Sequence, residues 1–270
     1  MTEPVRLSIE AKCNTNIGDI VVNKNNSRNY PRVTWGILRY PMCAVCGGGD
    51  SLKENLNILR TWPGHIYGVN DTAGYLSDNG IPSFIYSIDG TKVPYRKGKK
   101  IKGALFASRV NKVQFTFKNI RVFDMAEDDK QGVGGGVSGV GRTVHLFLRM
   151  GYRGITYFGC DSSFSGSTHL SGTQNIAFEN MVIVRAGNKE YLTNAAMILQ
   201  AQFMVDCFIK YPQYLVNASS GLMQGMLENP DTWSVIAVSE DLKKQYESLG
   251  CKEWNKPYKV EEVEWQQQAI

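Results

Sequence analysis

The chain has 270 residues, 43% hydrophobic and 20% charged, with 27 glycines and 9 prolines; this excludes a disordered, collagen-like or coiled-coil protein. No apolar run reaches the ~18–20 residues of a membrane span, and Met1 to Glu10 lacks the apolar core of a signal peptide. The 30 basic and 25 acidic side chains leave a net charge of +5, and six cysteines are too sparse for a disulfide scaffold, which predicts reduced thiols and a cytoplasmic setting.

Residues 1–36 are polar, with an Asn-rich run from Asn23 to Asn29, and read as an irregular extension or short edge elements. Met42 to Cys46 is a short apolar run followed by glycines, the signature of a buried strand. Cys43 and Cys46 fall inside it and read as buried structural thiols. Leu52, Leu56 and Leu59 then recur at helical spacing, with Asp50 or Ser51 placed to cap. Ile66 to Val69 is a second strand. Asp71 or Thr72 caps a helix that stops at Asn79 and Gly80. Pro82 opens a third strand, Phe84 to Ile88, ending at Asp89. Strand and helix alternating at this pitch predict a doubly wound, mainly parallel α/β sheet.

Charge is unevenly distributed. Lys92, Arg96, Lys97, Lys99, Lys100, Lys102, Arg109, Lys112, Lys118 and Arg121 lie between Gly90 and Phe123 with no acid among them, leaving 20 basic against 25 acidic side chains elsewhere. Alternation at Val113, Phe115 and Phe117 predicts that this insertion is a basic β-ribbon. Partners that carry phosphate fit such a stretch. An acidic loop, Asp124 to Lys130, precedes a second glycine-rich run, Gly132 to Gly141, and a helix that stops at Gly151. Ile155 to Phe158 is a strand ending in Asp161, and a Ser/Gly loop holding His169 follows. The longest helix runs from Thr193 to Lys210. Strands at Tyr214–Val216 and Trp233–Val238, a helix from Ser239 to about Leu249 and a polar tail complete the chain. The divisions are 1–36, a central domain 37–230, and a C-terminal strand, helix and tail 231–270.

Two glycine turns that open helices are the chemical signal. At Gly47, Gly48, Gly49, Asp50 and Ser51, and again at Gly136, Ser138 and Gly139, backbone N–H groups and the helix dipole can hold a phosphate. The first turn is neither a dinucleotide fingerprint nor a Walker motif. Asp89 and Asp161 follow strands and should reach the carboxyl edge of a parallel sheet, where they can meet sugar hydroxyls or Mg²⁺ held through phosphate. His169, in a polar loop beside that edge, is the candidate general base. His65 and His145 read as structural.

Four blocks then occur in order. They are Cys46 to Leu56 through the glycine turn; Val69, Asn70 and Asp71 through Gly80 to Asp89; Gly136 to Gly139, Met150 to Tyr152, Phe158 to Asp161 and Thr168-His169; and Val216, Asn217 and Ala218 to Gly221 with Gly225. Over residues 40–226 this pattern resembles the MptE-like domain family, which includes motility-associated-factor flagellin glycosyltransferases and 6-hydroxymethylpterin diphosphokinases. The resemblance implies a Rossmann-like fold similar to that of bacterial sialyltransferases that use CMP-activated sugars. It implies that Gly47 to Ser51, Asn70, Gly136, Ser138, Gly139 and Asn217 line a nucleotide, that Asp89 and Asp161 face the ligand, and that the catalytic residues are Asp161 and His169, the latter deprotonating an acceptor. The chain departs from the pattern at Asp50, where the family has Pro, and at Ser219 and Ser220, where it has Thr-Glu.

The leading expectation is a minimal glycosyltransferase-like enzyme of the kind found in phage or surface-polysaccharide gene clusters. Its donor would be a CMP-type nucleotide sugar such as an activated nonulosonic acid, its acceptor is unspecified, and Arg96, Lys97, Lys99 and Lys100 would stabilise the departing phosphate. Two alternatives stand beside it. One is a diphosphokinase needing Mg²⁺ between Asp89, Asp161 and phosphates. The other is a non-catalytic nucleotide- or nucleic-acid-binding protein that uses the basic segment 92–121.

Overall fold

The computed structural model describes residues 5–9, 17–36, 41–90, 92, 95–126, 131–136, 138–164, 181–238 and 258–262. Seven parallel strands form the main sheet: β2 (Met42–Cys46), β3 (His65–Val69), β4 (Ser83–Ser87), β5 (Ile101–Ala107), β6 (Ile120–Phe123), β7 (Gly154–Phe158) and β10 (Leu215–Asn217). Their order is β10-β7-β2-β3-β4-β5-β6, and every pairing is parallel. The chain winds outward from β2 to β6, then crosses back to β7 on the other side of β2. The fold is therefore α/β and Rossmann-like, with its topological switch point between β2 and β7.

β2 explains why a five-residue apolar run becomes a central strand. Cys43 and Val45 enter the cluster of Tyr67, Tyr86, Tyr157, Val144 and Phe147 on one face. Ala44 and Cys46 enter the cluster of Leu52, Leu59, Leu76 and Ile81 on the other. A parallel strand covered on both faces has no place for a polar residue. The first face is covered by α4 (Gly139–Met150), which ends at Gly151 with φ 107°. The second carries a 3-10 turn over Asp50–Asn55, the short α2 (Leu56–Arg60) and α3 (Thr72–Asp78). One continuous helix was expected from Leu52 to Leu59; the tighter turn replaces its first half.

The basic insertion is not a β-ribbon. β5 and β6 extend the main sheet in parallel, so the chain between them must return to the amino edge before β6 begins. Val113 lies in a 3-10 turn (Lys112–Gln114) and Phe115 caps it. Phe115 and Phe117 pack on Phe106 with ring centroids 5.8 and 6.1 Å apart. The period-two alternation marks packing onto β5, not a second hairpin.

The polar N-terminal stretch is built in as well. It contains α1 (Ile17–Ser27), whose buried Asn23 donates through Nδ2 to the carbonyl of Arg109 at 2.8 Å. Arg32 then bridges to Val122 of β6, with the Val33 N–H donating to the Val122 carbonyl at 2.9 Å.

A second, smaller sheet has the order β1-β12-β11-β8-β9, made of β1 (Val5–Ile9), β12 (Tyr258–Glu262), β11 (Trp233–Val238), β8 (Met181–Ala186) and β9 (Lys189–Asn194). The polar tail thus holds a strand. The β8–β9 hairpin turns at Gly187, φ 58°, between runs whose Gly-Asn link is itself a hairpin signal. α5 (Ala195–Lys210) is the longest helix among the described residues, and α6 (Gly221–Glu228) packs against it. The helix expected over 239–249 lies outside the described residues. Among those described, no helix is long and apolar enough to cross a membrane.

Candidate functional site at the carboxyl edge

The turns after β2, β7 and β10 meet at the switch point, and Asp161 ties them together. Its side chain is 6% exposed. One carboxylate oxygen accepts the Ser51 N–H at 3.0 Å. The other accepts the Ser51 hydroxyl and the Ser220 N–H, the latter at 3.3 Å. The first glycine turn is closed onto this knot. The Gly47 N–H donates to the Phe158 carbonyl at 2.8 Å, and the Gly49 N–H to that of Gly159 at 2.7 Å. A Cβ on Gly47 would stand 2.5 Å from the Gly159 oxygen, and one on Gly49 2.5 Å from an Asp161 oxygen. These glycines let two loops pack face to face.

The turn therefore differs from the expected phosphate cradle. The N–H groups of Gly47, Gly49 and Ser51 are spent internally, the helix they open is a 3-10 turn, and Asp161 puts negative charge at its mouth. Gly48 and Asp50 remain on the rim, where Asp50 pairs with Lys53 at 2.8 Å. Asn217 closes the turn after β10, its Oδ1 accepting the Ser219 N–H at 3.0 Å and its Nδ2 donating to Gln224 at 2.6 Å. Ser219 in turn accepts the Cys160 N–H at 2.9 Å.

The edge above β3 and β4 is organised differently. Asn70 follows β3 with φ 54°, and Asp89 follows β4. Ser138 caps α4, its hydroxyl accepting the Gly141 N–H at 3.0 Å. The start of α4 sits on the strand ends, since a Cβ on Gly139 would lie 3.2 Å from Val69 and 3.8 Å from Tyr86. Gly135 and Gly136 lead in at φ 114° and 37°. Arg142, buried in the first turns of α4, donates to the Val133 and Gly136 carbonyls at 2.9 and 3.2 Å and fixes the approach loop. Gly136, Ser138 and Gly139 thus form the N-terminus of a 12-residue helix, where the macrodipole favours an anion, and that terminus rests on Val69 and Tyr86 of the two strands that Asn70 and Asp89 follow.

Lys97, Lys99 and Lys100 do not join this edge, although Arg96 is anchored there to Asp71, the residue after Asn70. The strap after β4 descends along α3. Arg96 clamps α3 by ion pairs to Asp71 at 2.7 Å and Asp78 at 3.1 Å. The Lys100 N–H donates to Ser77 near the end of α3 at 3.0 Å, and its carbonyl accepts the first N–H of β4 at 3.2 Å. Lys97, Lys99 and Lys100 therefore lie at the amino edge, opposite the glycine turns, because a parallel β5 has to start there. His169 lies outside the described residues.

Cys43, Cys46 and Cys160 are free and buried. Burial holds all three thiols protonated, with Cys160, beside Asp161, pushed up to about 12. Tyr95, which the sequence offers only as an aromatic interleaved with the basic residues of a nucleic-acid contact, instead sends its hydroxyl to Asn70 Oδ1 at 3.2 Å. Nothing in its local sequence separates it from any aromatic residue in a basic loop. No family model matches this chain, and neither a curated protein nor a solved structure does.

Proposed function

We propose that the carboxyl edge above β3 and β4 binds a nucleotide-activated small molecule and that the protein transfers its activated group to an acceptor, as a glycosyltransferase-like enzyme. The observation that carries this reading is the seating of the α4 N-terminus on the ends of β3 and β4, the strands that Asn70 and Asp89 follow. Phosphate at the helix terminus would meet main-chain N–H groups and a favourable dipole. Asp89 would accept hydrogen bonds from sugar or ribose hydroxyls, and His169 remains the candidate base for the acceptor. A CMP-type donor and an MptE-like ancestry come from the four sequence blocks alone. The free, buried thiols fit a cytoplasmic setting.

Transfer without a metal is preferred to the diphosphokinase reading for one reason. Asp161, which the second mechanism needs as a Mg²⁺ ligand, already uses both oxygens on Ser51 and Ser220. A thermal-shift panel tests the choice. Stabilisation by CMP or CDP without metal is expected. Stabilisation by ATP only with Mg²⁺ would favour the diphosphokinase, and no response to any nucleotide would remove both.

A second surface is favoured by a separate observation. Lys97, Lys99, Lys100, Lys102, Lys118 and Arg121 are all exposed, lie at or beside the amino edge of β4, β5 and β6, and form no ion pair with the described residues. Such a cluster suits a nucleic-acid backbone. Binding of a short RNA or DNA should then weaken with a log–log salt slope of about −0.9 per cation engaged, and Lys100→Glu with Lys102→Glu should abolish it. Salt-insensitive or absent binding excludes this surface as a nucleic-acid contact.

A further inference from the structure

A hydrogen-bond relay crosses the ends of β3 and β4. Ser87, the buried last residue of β4, accepts the Asp89 N–H at 3.0 Å. Its hydroxyl lies 2.9 Å from that of Tyr95, and the Tyr95 hydroxyl donates to Asn70 Oδ1 at 3.2 Å. A hydroxyl has one proton. Tyr95 spends its proton on the Asn70 oxygen, which can only accept, so Ser87 must donate to Tyr95. The relay runs one way: Asp89 N–H to Ser87, Ser87 to Tyr95, Tyr95 to Asn70.

In this arrangement the Asn70 amide oxygen faces Tyr95. Its oxygen is committed inward, and its NH2 group, with two donors, has no hydrogen-bond partner among the described residues. Tyr95 is itself held in place. Its N–H donates to Gln114 Oε1 at 3.1 Å, and the adjacent Arg96 is locked to Asp71. Burial, then the nearby Asp89 charge, raises the Tyr95 phenol far above its ordinary range, so it keeps the proton the relay requires. Asn70 adopts φ 54°, a left-handed conformation that glycine would take without strain. The strained position keeps a side chain, and that side chain ends in oriented donors.

We propose that Tyr95 is a positioning residue that turns the Asn70 amide so that its two N–H donors engage an anionic phosphoryl oxygen of the ligand. This rests on the nucleotide reading and narrows it. The group at Asn70 is an acceptor, so sugar hydroxyls that must donate belong at Asp89 instead.

The experiment uses the full chain, with the ¹⁵N side-chain amide signals of Asn70 observed during titration with CMP and, separately, with inorganic phosphate. CMP should shift the Asn70 NH2 pair. Tyr95→Phe should weaken CMP about 10-fold with little change in melting temperature. Asn70→Gly should weaken CMP comparably while leaving the fold about as stable as wild type, because relief of the left-handed strain offsets the lost Tyr95 hydrogen bond. Affinity lost at unchanged stability would not arise from a structural role. Wild-type affinity in both variants overturns the proposal. If wild type binds no nucleotide, the function proposed above fails by itself. Phosphate then decides the relay: an Asn70 shift that is lost in Tyr95→Phe upholds it, and no shift overturns it.

Discussion

Replacing Asp161 by Asn removes one acceptor from a buried site where three donors converge. The Ser51 N–H, the Ser51 hydroxyl and the Ser220 N–H all point at its carboxylate, and the residue is 6% exposed. An amide of the same shape has one oxygen and two N–H donors. The Ser51 hydroxyl can rotate and accept, but a main-chain N–H cannot. Whichever way the amide turns, either Ser51 or Ser220 faces another donor. An orphaned buried donor costs about 1–3 kcal/mol, and losing the charge on the surviving bond adds about 1 kcal/mol. The expected loss is therefore about 2–4 kcal/mol, a large share of the ~5–15 kcal/mol that holds a typical protein folded. Urea unfolding should show the midpoint falling with the slope unchanged. Ser51→Ala should cost about 1 kcal/mol alone and less in the Asp161→Asn background, because the two share one bond. A variant within about 0.5 kcal/mol of wild type would refute the knot. Unchanged stability with lost nucleotide binding would return Asp161 to the ligand.

Gly47→Ala should destabilise by about 1–3 kcal/mol, since its Cβ meets a main-chain oxygen at 2.5 Å. Gly80→Ala, at φ 77° with nothing within 4 Å, should cost only about 1 kcal/mol of backbone strain; equal losses in denaturant titrations would contradict the close packing of the switch-point loops. His65, beside Tyr152 at 2.5 Å, is lowered below the ordinary 6.5 by burial first and by Lys102 second. The unfolded chain then takes up its proton more readily than the fold does. The His65 contribution to stability is complete above about pH 6.5 and declines as pH falls toward the lowered folded value. His65→Gln should flatten the slope of unfolding free energy between pH 7 and 5, and parallel slopes would count against it. Peptide mapping after iodoacetamide at pH 8 should find Cys43, Cys46, Cys160 and Cys207 unmodified in the native protein and modified in urea, since burial raises every one of these thiols. Labelling of Cys160 in the folded state would show that the switch point opens.

Much of the sheet was legible because its signals are local. The runs Met42–Cys46, Ser83–Ser87 and Gly154–Phe158 are short, apolar and bounded by turn residues, and each became a parallel strand. Gly151 was legible as the left-handed stop of α4, whereas Ser138, read as lining a nucleotide, is also the N-cap of that helix. The β8–β9 hairpin was readable from Gly187 and Asn188 but lay in a stretch with no assigned element. The alternation at Val113, Phe115 and Phe117 misled, because period two also arises when a loop packs its aromatics onto a strand.

What sequence could not supply was which edge each loop occupies. Ten basic residues in one segment form one block of charge along the chain, yet Arg96 spends its guanidinium on Asp71 and Asp78, while Lys97, Lys99 and Lys100 stand at the opposite edge from the glycine turns. Two glycine turns look alike in sequence. Tertiary packing closes the first onto Gly159 and Asp161 and leaves the second at the head of α4. Local order follows from neighbouring residues. The meeting of Ser51 with Asp161, or of Tyr95 with Asn70, follows from parallel strands whose pairing is set far along the chain, and only the folded sheet determines it.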